Sequence, residues 1–282
     1  MKVITLFENR TISKQYKCKH GLSLYIETSN HKILFDTGTD QSFAYNAYKL
    51  GVNLEDIDIV VISHGHYDHG GGLETFLKFN NKAKIYIGKG AFDSHLVKLF
   101  GIIKYNIGLN KELINNNNNN NNNNRFIFVD GMMKIDEELI LFGDVKGNKL
   151  QPKGNDRLLK EFSNNSIEKD DFEHEINLLI NENSKYSLFC GCAHKGIINI
   201  IERTKEIIDS NLNTVIGGFH LMRMNIKNPN SKVFLNDLSA NLLNNNVDKY
   251  YTCHCTGEQA YSYLCNTMSN LDELKTGMVI EI

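Results

Sequence analysis

From Ser63 to Gly72 the chain places His64, His66, Asp68 and His69 within six residues and follows them with Gly70, Gly71 and Gly72. Imidazole and carboxylate are the donors that Zn²⁺ and neighbouring first-row divalent metals take. On a turn leaving a strand, His64 and His66 can face one metal while Asp68 and His69 face another. Two-metal sites hold their ions about 3.5–4 Å apart, which suits this spacing. Four residues cannot complete two coordination spheres, so further ligands must come from elsewhere. The three glycines are expected to give close backbone approach and positive φ ahead of the next helix.

The elements that must position these groups are legible around them. Ile57 to Ile62 is a Val/Ile-rich run that reads as a buried parallel strand ending at the cluster. Three later histidines stand in equivalent places. His194, in Cys190-Gly191-Cys192-Ala193-His194, follows a strand over 186–189; His220 follows one over 214–216; His254, between Cys253 and Cys255, follows one over 248–252. The carboxyl ends of parallel strands share one rim, so such residues can converge. His174 precedes a strand and is the weakest candidate. The cysteines could be read as a Cys/His zinc knot, but neither segment has the C-x₂₋₄-C spacing of structural sites, and small buried thiols beside the metal site are the better reading.

Elsewhere the pattern predicts strands over 2–7, 22–28, 32–35, 83–87, 125–129, 138–142, 176–180 and 278–282. Helices are predicted over 42–50, 73–79, 196–209, 230–243 and 258–268. Ser29-Asn30-His31 reads as a hairpin turn, 146–155 as a loop and 163–172 as irregular. Each half has strands first and then strand–helix alternation, a coarse two-fold echo. The run of ten asparagines from 115 to 124 offers nothing to a core and reads as a loop insertion in a single domain over 1–282. Alternation of this kind is an α/β class with helices packed outside a buried sheet.

With 41% hydrophobic and 23% charged residues and a net charge of −2, the chain has no basic excess pointing to nucleic acid or an anionic membrane. No stretch approaches the ~20 apolar residues of a membrane span. The first residues are too short an apolar run for a signal peptide, and six unevenly spaced cysteines are no disulfide framework. A cytoplasmic protein is expected, free to be a homo-oligomer, with a small-molecule partner.

The Ser63–Gly72 stretch, with Asp36-Thr37-Gly38 on an early strand end, resembles the signature of the metallo-β-lactamase superfamily. Gly191-Cys192-Ala193-His194, Gly217-Gly218-Phe219-His220-Leu221 and His254-Cys255-Thr256-Gly257 are similar to one of its branches. That branch is the 7,8-dihydropterin-6-methyl-4-(β-D-ribofuranosyl)aminobenzene-5′-phosphate synthases. The resemblance implies a four-layer αββα sandwich of two mixed sheets. It makes His64, His66 and His194 ligands of one divalent metal, and Asp68, His69 and His254 ligands of a second. Asp36 would orient a ligand, and His220 and Cys192 would lie beside the metals or the substrate. Other branches carry an additional bridging Asp; none stands here.

The metals implied are zinc, with iron or manganese as alternatives. Di-iron relatives often have Glu where this chain has His66, which favours zinc. The function implied is metal-dependent hydrolysis, or displacement of pyrophosphate, on a phosphorylated or pterin-like anionic small molecule, with Asp68 handling the water proton and Lys195 and Arg223 available to an anionic group. A thioesterase or lactonase of the glyoxalase-II kind, and an iron-binding sensor without turnover, are the other readings.

Overall fold

The computed structural model describes residues 1–115, 125–162 and 166–282. From residue 116 on, the asparagine run lies outside them. The chain divides into two compact units: Met1–Asp130 with Arg157–Ile176 and Lys275–Ile282, and Gly131–Asp156 with Asn177–Leu274.

The first unit begins with β1 (Lys2–Phe7), β2 (Ser23–Glu27), β3 (Lys32–Phe35), α1 (Ser42–Lys49), β4 (Ile59–Ile62), α2 (Tyr67–Gly70) and α3 (Leu73–Phe79). It continues with β5 (Lys84–Gly88), the pair β6 (Ser94–Leu99) and β7 (Ile103–Asn106), α4 (Glu112–Asn115) and β8 (Phe126–Val129). The second unit opens with β9 (Met132–Lys134) and β10 (Leu139–Phe142). The first then adds β11 (Leu158–Glu161) and β12 (Ile167–Lys169). The second resumes with β13 (Asn177–Glu182), β14 (Lys185–Phe189), α5 (Ile197–Ile207), β15 (Leu212–Gly217), α6 (Pro229–Asn244), β16 (Lys249–Thr252), α7 (Glu258–Leu264) and β17 (Leu271–Glu273). Finally β18 (Val279–Glu281) belongs to the first.

Each unit is built on a seven-stranded mixed sheet. The first has the order β18-β1-β2-β3-β4-β5-β8. It is antiparallel as far as β3, then parallel from β3 through β8. Because β3 and β4 are parallel, with Phe35 opposite Val61, Asp36 and Ser63 leave the sheet side by side. The second sheet has the order β17-β16-β15-β14-β13-β10-β9 and is parallel from β14 to β17. The loops after β14, β15 and β16 therefore open at one edge. The two-fold echo in the sequence corresponds to this shared plan, antiparallel strands joined to parallel ones.

The helices cover these sheets with apolar faces. In the first unit Phe43 and Ala47 of α1 and Leu73 and Phe76 of α3 join Ile4, Leu34, Val60 and Ile85 in one buried cluster. In the second, Ile197, Ile200 and Ile201 of α5 and Leu235, Leu238 and Leu242 of α6 pack with Leu188, Val215 and Tyr250. Burying each such side chain contributes about 1.5–3 kcal/mol. Among the described residues no helix is long and apolar enough to cross a membrane.

Three differences from the expected elements have physical causes. The stretch after 163 is not wholly irregular: β12 pairs with β11, which pairs with β6. The alternation of β11 is masked because Lys160 takes a buried position, where Asp93 and Asp171 stand 3.5 and 3.6 Å from its ammonium. β7 is an edge strand exposed at all four residues, so burial leaves no periodic mark on it. The predicted helix from Gly196 ends at Ile207, and Ile208 turns to extended backbone.

Asn80 ties the loops beneath the first sheet. Its amide donates to the Leu54 and Ile57 carbonyls at 2.9 and 2.8 Å, while its Oδ1 accepts from Ala83 N at 2.8 Å and Arg125 Nη2 at 3.1 Å. Asn80→Ala leaves these buried groups unmatched and should lower the free energy of urea unfolding by roughly 2–4 kcal/mol. A change below about 0.5 kcal/mol, the range of neutral surface substitutions, would contradict this role.

Candidate metal centre

The first unit gathers His64, His66, Asp68 and His69 beyond the end of β4, all of them buried. The His64 ring centroid lies 4.5 Å from that of His66 and 4.1 Å from that of His69. The turn is held by backbone bonds on both sides. Thr37 N–H donates to the His69 carbonyl at 2.6 Å, Leu22 N–H to the Asp68 carbonyl at 3.1 Å and Tyr67 N–H to the Ile107 carbonyl at 2.8 Å. The glycines that follow serve close approach only; none takes positive φ. A Cβ on Gly71 would stand 2.2 Å from the Thr39 carbonyl oxygen, and one on Gly72 2.3 Å from that of Thr37.

Asp36 organises the donors. It sits at the end of β3 in the left-handed region, at φ +59°, a conformation that costs a non-glycine residue of order 1–2 kcal/mol. Its carboxylate accepts from Ser63 N at 2.7 Å, Ser63 Oγ at 2.8 Å and His69 Nδ1 at 2.6 Å. The chemistry of the acceptors assigns the protons. A carboxylate can only accept here, so His69 carries its proton on Nδ1. The Ser63 hydroxyl gives its one proton to Asp36, so at the 2.9 Å contact with His64 Nδ1 it accepts. Both rings therefore present Nε2 as the basic nitrogen, the form of a metal-ligating histidine whose other nitrogen is anchored. Burial, reinforced by His174, pushes His66 well below its usual pKa and keeps it neutral. Asp68 adds a carboxylate 3.8 Å from His69 Nε2, with His20 Nε2 at 3.1 Å on the same oxygen. This donor set fits a divalent metal.

Next to it is a group that sequence reasoning missed. His95 on β6, Asp170 after β12 and His174 are completely buried in their side chains. Together with His66 they offer ligand atoms within 4.8 Å of one another. Their hydrogen bonds make them a scaffold. His174 Nδ1 accepts the Gly65 amide proton at 2.9 Å, so its proton is on Nε2, which faces Asp170 Oδ1 at 3.3 Å. An imidazole with one nitrogen accepting and the other donating has no lone pair left for a metal. His95 Nδ1 lies 2.9 Å from Asp170 Oδ2. The chain Asp170–His174–Gly65 thus pins the peptide between His64 and His66. His174, the weakest candidate in sequence, belongs here. His95 and Asp170 sit in stretches with no motif, and no sequence signal marks them.

The second unit gathers the later candidates on the loops after β14, β15 and β16. His194, His254 and Cys192 are buried, and His220 is partly so. The side chain of Asn155 holds His194 at two points: Nδ2 donates to its carbonyl at 2.7 Å and Oδ1 lies 3.0 Å from Nδ1. With the amide so oriented, His194 Nδ1 donates and Nε2 is again the basic nitrogen. Asn155 was visible in sequence only as part of a loop. The His194 and His220 rings lie 4.3 Å apart. Arg223 is exposed and Lys195 half-buried in the same unit.

Two outcomes follow from these bonds. Asp36→Ala removes the acceptor that fixes His69 and Ser63, and should weaken divalent-metal affinity about 10–100-fold in equilibrium competition with a chelator; unchanged affinity would contradict the assignment. The second concerns stability. Burial, opposed by its bond to Asp170, lowers His174 to about 4, against an ordinary 6.5 in the unfolded chain. Burial works to raise Asp170, but the bonds from His174 and His95 outweigh it and hold that carboxyl well below the usual range. Both folded values are depressed, so the stability they carry is present above the unfolded values and lost as pH falls. The metal-free protein should lose up to about 3 kcal/mol between pH 6.5 and 4 through His174 alone, and His174→Gln should flatten that slope. An equal slope in both proteins would count against it.

Comparison with known proteins shows what the chain is similar to. Residues 17–125 match the family model of the metallo-β-lactamase superfamily. Over 99% of its length the chain is 28% identical to an uncharacterized protein of Methanocaldococcus jannaschii, all of which is covered. It is 26% identical, over 100% of its length and 96% of the relative, to the 7,8-dihydropterin-6-methyl-4-(β-D-ribofuranosyl)-aminobenzene-5′-phosphate synthase of the same organism. Among solved structures, Tm1679, a metal-dependent hydrolase of the β-lactamase superfamily, superposes with a TM-score of 0.81 at 26% identity, covering 100% of this chain and 99% of that one. Residues 17–125 carry the metallo-β-lactamase likeness, and the chain has the metallo-β-lactamase fold.

Proposed function

We propose that this protein is a metal-dependent enzyme that hydrolyses, or displaces pyrophosphate from, a phosphorylated or pterin-like small molecule in the cytoplasm. The observation that carries the reading is the Asp36–Ser63 arrangement, which presents Nε2 of both His64 and His69 as basic donors. His64, His66, Asp68 and His69 are the ligands supplied by the first unit, and His194 and His254 are those the family pattern adds from the second. The order of these residues suits two divalent metals, and the mix of imidazole and carboxylate suits zinc. The likeness to the dihydropterin-type synthase and to a superfamily hydrolase supports the substrate class and the reaction type.

A zinc ion held by these residues would supply water made acidic near pH 7 and a Lewis acid for a phosphoryl or carbonyl oxygen. The chain's own part is to hold that chemistry in place. Asp68 takes the proton released when water attacks, and His20, 3.1 Å from the same carboxylate, is placed to relay it outward. Asp36 keeps the ligand tautomers constant throughout, while the buried imidazoles exclude bulk water and so strengthen the field on the reacting group.

Metal quantification on purified protein, with a screen of bis(p-nitrophenyl) phosphate, a thioester, a lactone and a dihydropterin pyrophosphate, tests this reading. The wild type should contain stoichiometric zinc and turn over a phosphorylated substrate, and His66→Ala should lose at least about 100-fold in kcat/KM along with part of its metal. Metal content and turnover unchanged in His66→Ala would sink the proposal. Turnover of the thioester or lactone alone would move the substrate class to acyl compounds.

A further inference from the structure

The hairpin of β6 and β7 belongs to the first unit, and neither the metal donors nor the core accounts for its tip. Its stem is anchored: Val97 is buried with Leu158 and Phe172, and Leu99 and Ile107 pack against them. Beyond the stem, every residue from Phe100 to Asn106 is exposed. The large apolar ones are the most informative, with Phe100 92%, Ile102 85%, Ile103 59% and Tyr105 61% exposed. Single exposed apolar residues need no explanation, but a contiguous apolar patch marks an interaction surface. The turn presents one of them outright. Phe100 and Gly101 have φ +51° and +77°, and Ile102 N–H closes the turn on the Leu99 carbonyl at 3.1 Å. Glycine or asparagine takes such a position readily, and a bulky side chain is uncommon there.

Charge selects the occupant. From Ser94 to Lys111 the chain has Lys98, Lys104 and Lys111 and no Asp or Glu, within a protein whose net charge is −2. The whole-chain balance therefore conceals a local cationic segment. Lys98 and Lys104 are both exposed and stand directly opposite each other across the two strands. Like charges so paired are destabilising, and a neighbouring anion relieves them. Two hairpins meeting tip to tip would bring four such lysines together, which disfavours a second copy of this chain as the cover. An anionic bilayer satisfies both features. Apolar and aromatic side chains enter the boundary of headgroups and acyl chains, while lysines extend their ammonium groups to the lipid phosphates.

We propose that the β6–β7 tip seats the protein reversibly on an anionic lipid surface. Phe100 and Ile102 enter the bilayer boundary, and Lys98 and Lys104 hold lipid phosphates. The chain lies on such a surface without spanning it; no helix among the described residues is long and apolar enough to cross. A few apolar side chains with a basic flank give weak, reversible binding, comparable to the ~10⁴ M⁻¹ of one acyl chain. The tip shares no residue with the metal centre and stands whether or not the proposed reaction is correct.

The chain has no tryptophan, so Phe100→Trp places a single fluorescent reporter at the tip of the full-length protein. Vesicles of phosphatidylglycerol and phosphatidylcholine should shift its emission to the blue, and brominated acyl chains should quench it. Emission unchanged by anionic vesicles would overturn the proposal. Cosedimentation of the wild type needs no variant: binding to pure phosphatidylcholine should be at least about ten-fold weaker than to the anionic vesicles. Each lysine near the surface contributes about five-fold to partition, so Lys98→Ala with Lys104→Ala should cost about 25-fold. Phe100→Ser with Ile102→Ser should cost at least about ten-fold. All four residues are exposed, so circular dichroism and metal content should match the wild type in both double variants. Equal binding to the two lipid compositions, or binding unchanged in either double variant, would overturn the proposal. Self-association lost in Phe100→Ser with Ile102→Ser, in a wild type that ignores lipid, would give the tip to a second copy and overturn it too.

Discussion

The whole first unit is arranged around one carboxylate. Asp36 accepts two hydrogen bonds from Ser63 and one from His69, at 2.6–2.8 Å, and it does so fully buried. A buried carboxylate without partners would be costly, whereas charge-assisted bonds of this length are the strong ones. Its position follows from topology: parallel β3 and β4 release Asp36 and Ser63 next to each other. The consequence is chemical. Because the carboxylate can only accept, the protons on His69 and Ser63, and through Ser63 on His64, have one consistent placement. Two imidazoles are set to the metal-binding tautomer before any metal arrives, which removes part of the reorganisation that binding would otherwise cost.

The same logic is met twice more with different partners. Asn155 plays for His194 the part that Asp36 plays for His69, with a neutral amide in place of a carboxylate. His174 is set to the opposite tautomer, because the Gly65 amide requires an acceptor on Nδ1 and Asp170 a donor on Nε2. That inversion separates the residues that can hold a metal from those that hold the turn. Four buried residues with ligand-type side chains do not make a metal site until their other hydrogen bonds are counted.

Much of this was legible in the sequence, and what was not has identifiable causes. The Val/Ile run before His64, the Asp36-Thr37-Gly38 strand end and the histidines at later strand ends are local signals, and the structure places them at sheet edges in their respective units. Gly70 to Gly72 were legible as glycines but not in their reason: the turn needs their missing side chains, not unusual φ. Asn155, His95 and Asp170 were invisible because each acts through a partner far away in sequence, 39 positions for Asn155 and His194 and 75 for His95 and Asp170. Lys160 hid β11 by carrying a charge into a buried strand position. Residues that specify chemistry by type leave a motif; those that specify geometry through long-range bonds do not.

The central claim is a placement of protons, and it is measured most directly by long-range ¹H–¹⁵N correlation of the histidine rings in the metal-free protein near neutral pH. His64 and His69 should each show a protonated Nδ1 and an unprotonated Nε2, and His174 the reverse pattern. Finding Nε2 protonated in His64 and His69 would contradict the account, since the rings would then turn their hydrogens, and not their lone pairs, toward the metal.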